Sequence, residues 1–164
     1  MKGGEIVTDF EKLFRDYQDF IYKYLLRLTK SYTLAEEFTQ ETFFRAYMNR
    51  ASLRNKEKVA VWLCQIAKNI YFSWYNEHKK MQPLDEVVGT EKVDAIEEAY
   101  VNKEHFERLI IYLHQLEEPY KEVFMLAVFG QVSLKEISQL FGKSESWARV
   151  SFYRAKQKLI EKMR

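Results

Sequence analysis

The C-terminal thirty-two residues, 133–164, carry the side chains best suited to recognising a ligand. Cationic and polar side chains recur there at helical spacing: Arg149, Tyr153, Arg154 and Lys156. The apolar residue Val150 lies between them in the sequence. Lysine and arginine neutralise phosphates, and arginine also forms paired hydrogen bonds with a guanine edge. The chemistry that these residues offer is recognition of a nucleic acid.

A helix-turn-helix is the structure predicted to position them. Ser133 and Glu136 have the spacing of a capping box, and Gly142 can adopt the positive φ that ends a helix. Ser144 can then cap a second helix. Apolar residues at spacings of four, three and four give that helix a buried face, formed by Ala148, Phe152, Ala155 and Leu159. The cationic side chains remain exposed, in the arrangement that places a helix in a DNA major groove.

A second group of bases alternates with aromatic residues between Arg54 and Lys80. Cations can follow a phosphate backbone, and aromatic rings can stack on unpaired bases. Asn69 adds a donor and an acceptor that can read a base edge. Aromatic residues at helical spacing are more often core residues, so Trp62 and Trp74 are predicted to pack inside the protein. By itself this segment is weak evidence for nucleic-acid binding.

Composition and motif content exclude several other classes of protein. The chain of 164 residues is 47% hydrophobic and contains five Gly and two Pro, which favours helices over a turn-rich β fold. His78, His105 and His114 lack metal-ligand spacing, and there is no HExxH motif, cysteine pair or Gly-rich phosphate loop. We therefore predict no enzymatic activity, no metal and no cofactor. The single cysteine, Cys64, is expected to be a buried thiol.

The N-terminal residues lack the apolar core of a signal peptide, and no apolar run approaches the length of a membrane span. A cytoplasmic location is therefore predicted.

The predicted fold is all-α, with two small helical bundles joined by a flexible acidic linker. The first bundle occupies residues 1–80, the linker 81–101, and the second bundle, with the helix-turn-helix, 102–164. Between Leu84 and Glu98 there are six acids and one base. This composition favours a solvated tether between two functional ends.

Three helices are predicted in the first bundle. Thr8 is the predicted cap of the first, and the second is predicted to begin near Thr33, which has capping-box spacing to Glu36. The third is predicted to begin near Val59 and to end near Lys80.

Three stretches resemble the bacterial extracytoplasmic-function sigma factors of the sigma-70 family. Residues 62–69 read WLCQIAKN and resemble the family signature WLxxIAxN, and residues 34–43 read LAEEFTQETF and resemble its AEDLxQExF run. The C-terminal helix-turn-helix is similar to region 4 of the family. The motifs occur in the family's order over about residues 8–164. The resemblance implies a sigma factor that directs promoter-specific transcription initiation in a stress or envelope response.

The resemblance also implies what each domain binds. The N-terminal domain is expected to bind the β′ clamp helices of core RNA polymerase and to open the −10 element, and the C-terminal domain to bind the −35 element and the β flap. The implied polymerase-binding residues are Glu37, Gln40, Glu41 and Phe44. The implied −10 contacts are Arg54, Lys56, Lys58, Lys68 and Asn69. The implied −35 contacts are Ser144, Ser146, Trp147, Arg149, Val150, Tyr153, Arg154 and Lys156.

Val150 and Ser151 depart from the family pattern. The family often has a small polar residue where Val150 stands and a base where Ser151 stands. A valine side chain cannot donate a hydrogen bond, but it can touch a thymine methyl group.

The resemblance implies one further partner, an anti-sigma factor, which in this family is often tethered to the membrane. Two alternatives remain open at the level of sequence. One is a stand-alone helix-turn-helix regulator, and the other is a sigma-like decoy that binds polymerase without promoter activity.

Overall fold

The computed structural model describes residues 2–53, 58–78 and 103–164, with only the backbone for residues 2–8. This part of the chain contains seven α-helices and one 3-10 helix and no β-strand, so the all-α prediction with two helical units is confirmed. The two compact units are Met1–Asp85 and Glu86–Arg164, and each is described by itself. The predicted linker, 81–101, lies outside the described residues, and the predicted domain boundaries stay predictions.

Three packed helices form the described part of the first unit. They are α1 (Lys2–Thr29), α2 (Tyr32–Met48) and α3 (Val59–His78), and a short 3-10 helix, Arg50–Ser52, follows α2. Each of the three α-helices contacts the other two. Their core contains the fully buried side chains of Ile21, Tyr24, Leu25, Leu28 and Leu63. Cys64 is buried, as predicted.

Two predicted helix caps are wrong, although α2 begins at Tyr32, next to the predicted start near Thr33. The first helix already includes Thr8, so this residue is not its cap. The second helix is capped by Ser31 rather than Thr33, and the Ser31 hydroxyl accepts a 3.2 Å hydrogen bond from the Leu34 amide. Lys30 has a positive φ of 57°, which turns the chain after α1 so that Ser31 stands at the start of α2.

Four helices form the described part of the second unit: α4 (Lys103–Gln115), α5 (Tyr120–Val128), α6 (Leu134–Phe141) and α7 (Glu145–Met163). The long helix α7 contacts the other three. The buried apolar side chains of this unit include Ile110, Leu113, Val123, Met125, Leu126, Ile137, Ala148, Ala155 and Leu159. Across both units, none of the described helices combines the length and apolar character needed to cross a membrane.

Local capping fixes the turn between α6 and α7, and it agrees with the sequence prediction. The Ser133 hydroxyl accepts a 3.1 Å hydrogen bond from the Glu136 amide, and the Glu136 carboxylate accepts one from the Ser133 amide. Gly142 ends α6 with φ +65°. The Ser144 hydroxyl then accepts a 3.1 Å hydrogen bond from the Trp147 amide and caps α7. These caps fix where α7 starts and which of its faces is exposed.

Candidate nucleic-acid and protein interfaces

One face of α7 is buried and the opposite faces are open to solvent. Ala148, Ser151, Ala155 and Leu159 point into the second unit. Phe152 is half-buried and stacks on Phe124 of α5, with ring centroids 5.9 Å apart. The exposed side chains of α7 and its cap include seven of the eight predicted −35 contacts: Ser144, Ser146, Arg149, Val150, Tyr153, Arg154 and Lys156. The fold thus presents these residues together on the outside of the helix-turn-helix.

Two of the cations on this face are held by neighbours on their own helix. The Arg149 guanidinium lies 3.6 Å from the Glu145 carboxylate and donates a 3.4 Å hydrogen bond to the Ser146 hydroxyl. The Lys156 ammonium lies 5.5 Å from the centroid of the Phe152 ring. Both cations are exposed and contacts of this kind are weak, so they can be exchanged for phosphate or base contacts at low cost.

Lys158, nearer the C-terminal end of α7, contacts residues at the start of α5 and just before it. Its ammonium donates a 3.0 Å hydrogen bond to the Glu117 carboxylate, which precedes α5, and lies over the Tyr120 ring. This hydrogen bond and the attraction of the same carboxylate raise the pKa of Lys158 above its ordinary value. Lys158 therefore ties α7 to the unit.

Trp147 and Ser151 also pack within the unit. The ring of Trp147, the eighth predicted −35 contact, lies 5.3 Å from the ring of Phe141 and links α6 to α7. Trp147 is half-buried. Ser151 is buried, so the departure from the family pattern at this position lies inside the bundle. Val150 is exposed, so its departure lies on the outer surface.

The first unit has a groove between α2 and α3, with a volume of about 640 Å³. The residues lining it are Glu37, Phe38, Gln40, Glu41, Phe44, Arg45, Ile70, Ser73, Trp74 and Glu77. All four predicted polymerase-binding residues are among them. Phe44 is the most prominent, with 61% of its surface exposed although it is a large apolar residue. The groove combines three carboxylates with an apolar wall.

Six lining residues were missed by the sequence prediction of the binding site: Phe38, Arg45, Ile70, Ser73, Trp74 and Glu77. Arg45 could have been found from its spacing, because it stands one helical turn after Glu41 and forms a 2.8 Å ion pair with it. Trp74 was predicted to be core, but it is half-buried and forms part of the groove wall.

The Trp74 ring is held between its neighbours. It stacks on His78 with ring centroids 5.0 Å apart and meets Phe38 edge-on at 5.8 Å. The His78 Nδ1 atom lies 2.8 Å from the Trp74 carbonyl oxygen, one helical turn earlier. The apolar wall of the groove therefore has a fixed shape, since these contacts restrict the ring.

The predicted −10 contacts fall into three groups. Lys58 and Asn69 are exposed. Arg54 and Lys56 lie outside the described residues. Lys68 is only 6% exposed, so the prediction that it contacts DNA is not supported by the structure. Lys68 follows Cys64 by one turn and lies with it on the wide face of α3 that is buried by packing against α1 and α2.

Two aromatic residues of this segment are also core residues. Tyr71 and Phe72 are buried and lie edge-to-face, with ring centroids 5.3 Å apart. Burial raises the pKa of the Tyr71 hydroxyl above its ordinary value. These rings stabilise the bundle and are not available to stack on bases.

Comparison with known proteins identifies the family of both units. The model of Sigma-70 region 2 matches residues 13–80, and the model of Sigma-70, region 4, matches residues 107–159. The ECF RNA polymerase sigma factor SigM of Bacillus subtilis (strain 168) is 31% identical over 150 residues, covering 91% of each chain. The chain belongs to the extracytoplasmic-function sigma factors. The region 2 match contains the groove, and the region 4 match contains most of α7.

Other relatives of this sigma factor have similar coverage. RNA polymerase sigma factor YlaC of the same organism is 29% identical over 157 residues, covering 93% of this chain and 91% of YlaC. ECF RNA polymerase sigma factor SigW is 28% identical over 159 residues, covering 90% of this chain and 85% of SigW. A chain of the 1.8 Å structure of an RsbN–BldN complex is 23% identical, covers 93% of this chain and 89% of its own length, and gives a TM-score of 0.36.

Proposed function

We propose that this sigma factor binds core RNA polymerase through the groove between α2 and α3 and the −35 element through the exposed face of α7. Its role is promoter selection and assistance in strand opening, and it has no catalytic activity of its own. The region 2 unit corresponds to residues 1–80 and the region 4 unit to residues 102–164. The observation that carries the proposal is the exposed cationic face of α7 in a capped helix-turn-helix.

The helix-turn-helix geometry supports the −35 assignment. The first half of a recognition helix reaches the base edges, and flanking cations hold the phosphates. Arg149, Val150 and Tyr153 lie in the first half of α7, where they would meet bases. Arg154 and Lys156 follow in its second half, where they would meet the backbone. Trp147 acts by holding α6 against α7.

The groove suits a partner helix that carries both basic and apolar side chains. Its carboxylates would pair with the basic residues, and the exposed ring of Phe44 would be covered by the apolar ones. Within the family, the β′ clamp helices are the partner that this site implies. The second unit would contact the β flap, which is proposed from the family alone.

For the −10 element we propose Lys58 and Asn69 as contacts, together with Arg54 and Lys56, which shortly precede Lys58 in the chain. Lys58 and Asn69 are exposed near the start and in the middle of α3. The Asn69 amide can both donate to and accept from an unpaired base. A base must leave the duplex stack before its edge can be held in this way.

An anti-sigma factor is a further proposed partner. One such protein could cover the polymerase-binding surfaces of both units, and a membrane-tethered one would hold this cytoplasmic sigma factor at the membrane. This part of the proposal rests on the family.

The test of the DNA assignment uses site-directed cleavage by a chelated iron reagent. Cys64 is the chain's single cysteine and is fully buried, so an introduced surface cysteine can be labelled selectively. Gln157→Cys places the reagent on the exposed side of α7. With core polymerase and promoter DNA, cleavage is expected around the −35 element.

The matched control is Glu36→Cys, which places the same reagent on the exposed side of α2 in the other unit. It is expected not to cut at −35. Equal cleavage at −35 from both positions, or none from Gln157→Cys in an active complex, would refute the assignment of α7. Binding to core without initiation at any promoter would favour the decoy.

A further inference from the structure

Val150 is an apolar exception on a polar surface. Its side chain is 46% exposed, although its neighbours one turn away on the outer side, Ser146, Tyr153 and Arg154, all carry hydrogen-bonding groups. The fourth neighbour, Trp147, packs on Phe141 of α6. A single isopropyl group is thus held outward among donors and acceptors.

Val150 is not part of the buried face of α7. The buried face of α7 is completed by other residues, Ala148, Ser151, Ala155 and Leu159. A β-branched residue also has a lower helix propensity than alanine. The same branching restricts the side chain to few rotamers, so little freedom is lost when a ligand covers it.

The DNA major groove offers one apolar group that fits this side chain. The thymine C5 methyl projects into the groove, whereas the other base edges present donors and acceptors. Val150 lies in the second turn of α7, within the part of a recognition helix that reaches base edges.

We propose that Val150 determines part of the promoter specificity by packing against the methyl group of a thymine in the −35 element. This inference rests on the proposed entry of α7 into the major groove. Arg149 and Tyr153, on either side of Val150, supply polar contacts. Val150 favours thymine at the base pair that it contacts.

The experiment removes the DNA methyl group and the protein methyl groups separately. Each thymine of the −35 element is replaced in turn by deoxyuridine, which pairs identically but lacks the C5 methyl. Promoter binding by the full-length protein with core polymerase is then measured at one salt concentration, for the wild type and for Val150→Ala. At one thymine, uracil should weaken wild-type binding about fourfold, the effect of exposing one methylene-sized group. With Val150→Ala the same replacement should change the free energy of promoter binding by less than about a third as much.

The control is Val128→Ala, which truncates a valine of similar exposure, 39%, on α5. It should retain the wild-type response to uracil. Equal responses of wild type and Val150→Ala at every thymine, or a −35 element without thymine, would overturn the inference. In both cases the wild type would still bind the promoter with core polymerase, whereas no promoter binding by the wild type would instead contradict the proposed function.

Discussion

The Nε atom of Arg45 donates a 2.8 Å hydrogen bond to the Oε1 atom of Glu41, one turn earlier on α2. Both side chains line the groove and both are nearly half exposed. An exposed pair of this kind contributes about 0.3–0.5 kcal/mol to stability. Because the pair adds little to stability, we expect it to matter mainly for binding, with Arg45 holding the Glu41 carboxylate in place at the groove.

Glu41→Gln should weaken binding to core polymerase several-fold while leaving the fold intact. The substitution keeps the shape and removes the charge. Because the lost attraction is screened by salt, the difference from wild type should shrink as ionic strength rises. Glu36→Gln is the matched control, because Glu36 is exposed on α2 but does not line the groove. Equal effects of both substitutions would contradict a specific role for the groove.

Phe44→Ala should reduce the affinity for core polymerase by about tenfold or more, as expected for an aromatic residue at the centre of an interface. The free energy of unfolding should change by less than about 0.5 kcal/mol, since the ring is mostly exposed. Met48→Ala serves as the control. Met48 is 63% exposed on the same helix, one turn further on, but does not line the groove. If truncating Met48 were equally harmful, the partner would not be seated in the groove.

Arg154→Ala should weaken promoter binding to a similar degree for all −35 sequences. If its guanidinium neutralises a phosphate, the slope of log affinity against log salt should fall by about one. Lys162→Ala removes a charge from the exposed end of the same helix and should leave the slope unchanged. A change of sequence preference in Arg154→Ala would instead place this residue at a base edge.

Gly142→Ala should destabilise the second unit by about 1–2 kcal/mol, the cost of the left-handed conformation for a residue with a Cβ. The added Cβ would meet no atom within 4 Å, so conformation alone sets the cost. Gly142→Asn should cost less, because asparagine tolerates positive φ. Urea unfolding measures both. Equal destabilisation by Ala and Asn would show that something other than φ matters at this turn.

The parts of the fold that could be predicted from sequence are those governed by local chemistry. Ser133, Glu136 and Ser144 form capping hydrogen bonds with residues three positions away, and Gly142 ends α6 through its own φ. Their spacing in the sequence was therefore sufficient to place the turn. Thr33 shows the limit of such reasoning. It has suitable spacing to Glu36, but the turn at Lys30 positions Ser31 first, and spacing alone could not choose between the two caps.

The position of Lys68 could not be predicted because burial on α3 depends on tertiary packing. This helix contacts both α1 and α2, and its buried face is wide enough to include a lysine. The groove shows the same limit. Trp74 and Glu77 are more than thirty positions from Glu41 in the chain, and only the packing of α3 on α2 brings them to one surface.

The central claim is that this protein gives core RNA polymerase its promoter specificity. The most direct test is transcription by purified core polymerase on a pooled promoter library, with and without the protein. Start-site-specific transcripts that depend on the protein and share −35 and −10 elements are expected. If the protein produced no specific transcript, or if transcripts appeared equally without it, the account would be contradicted.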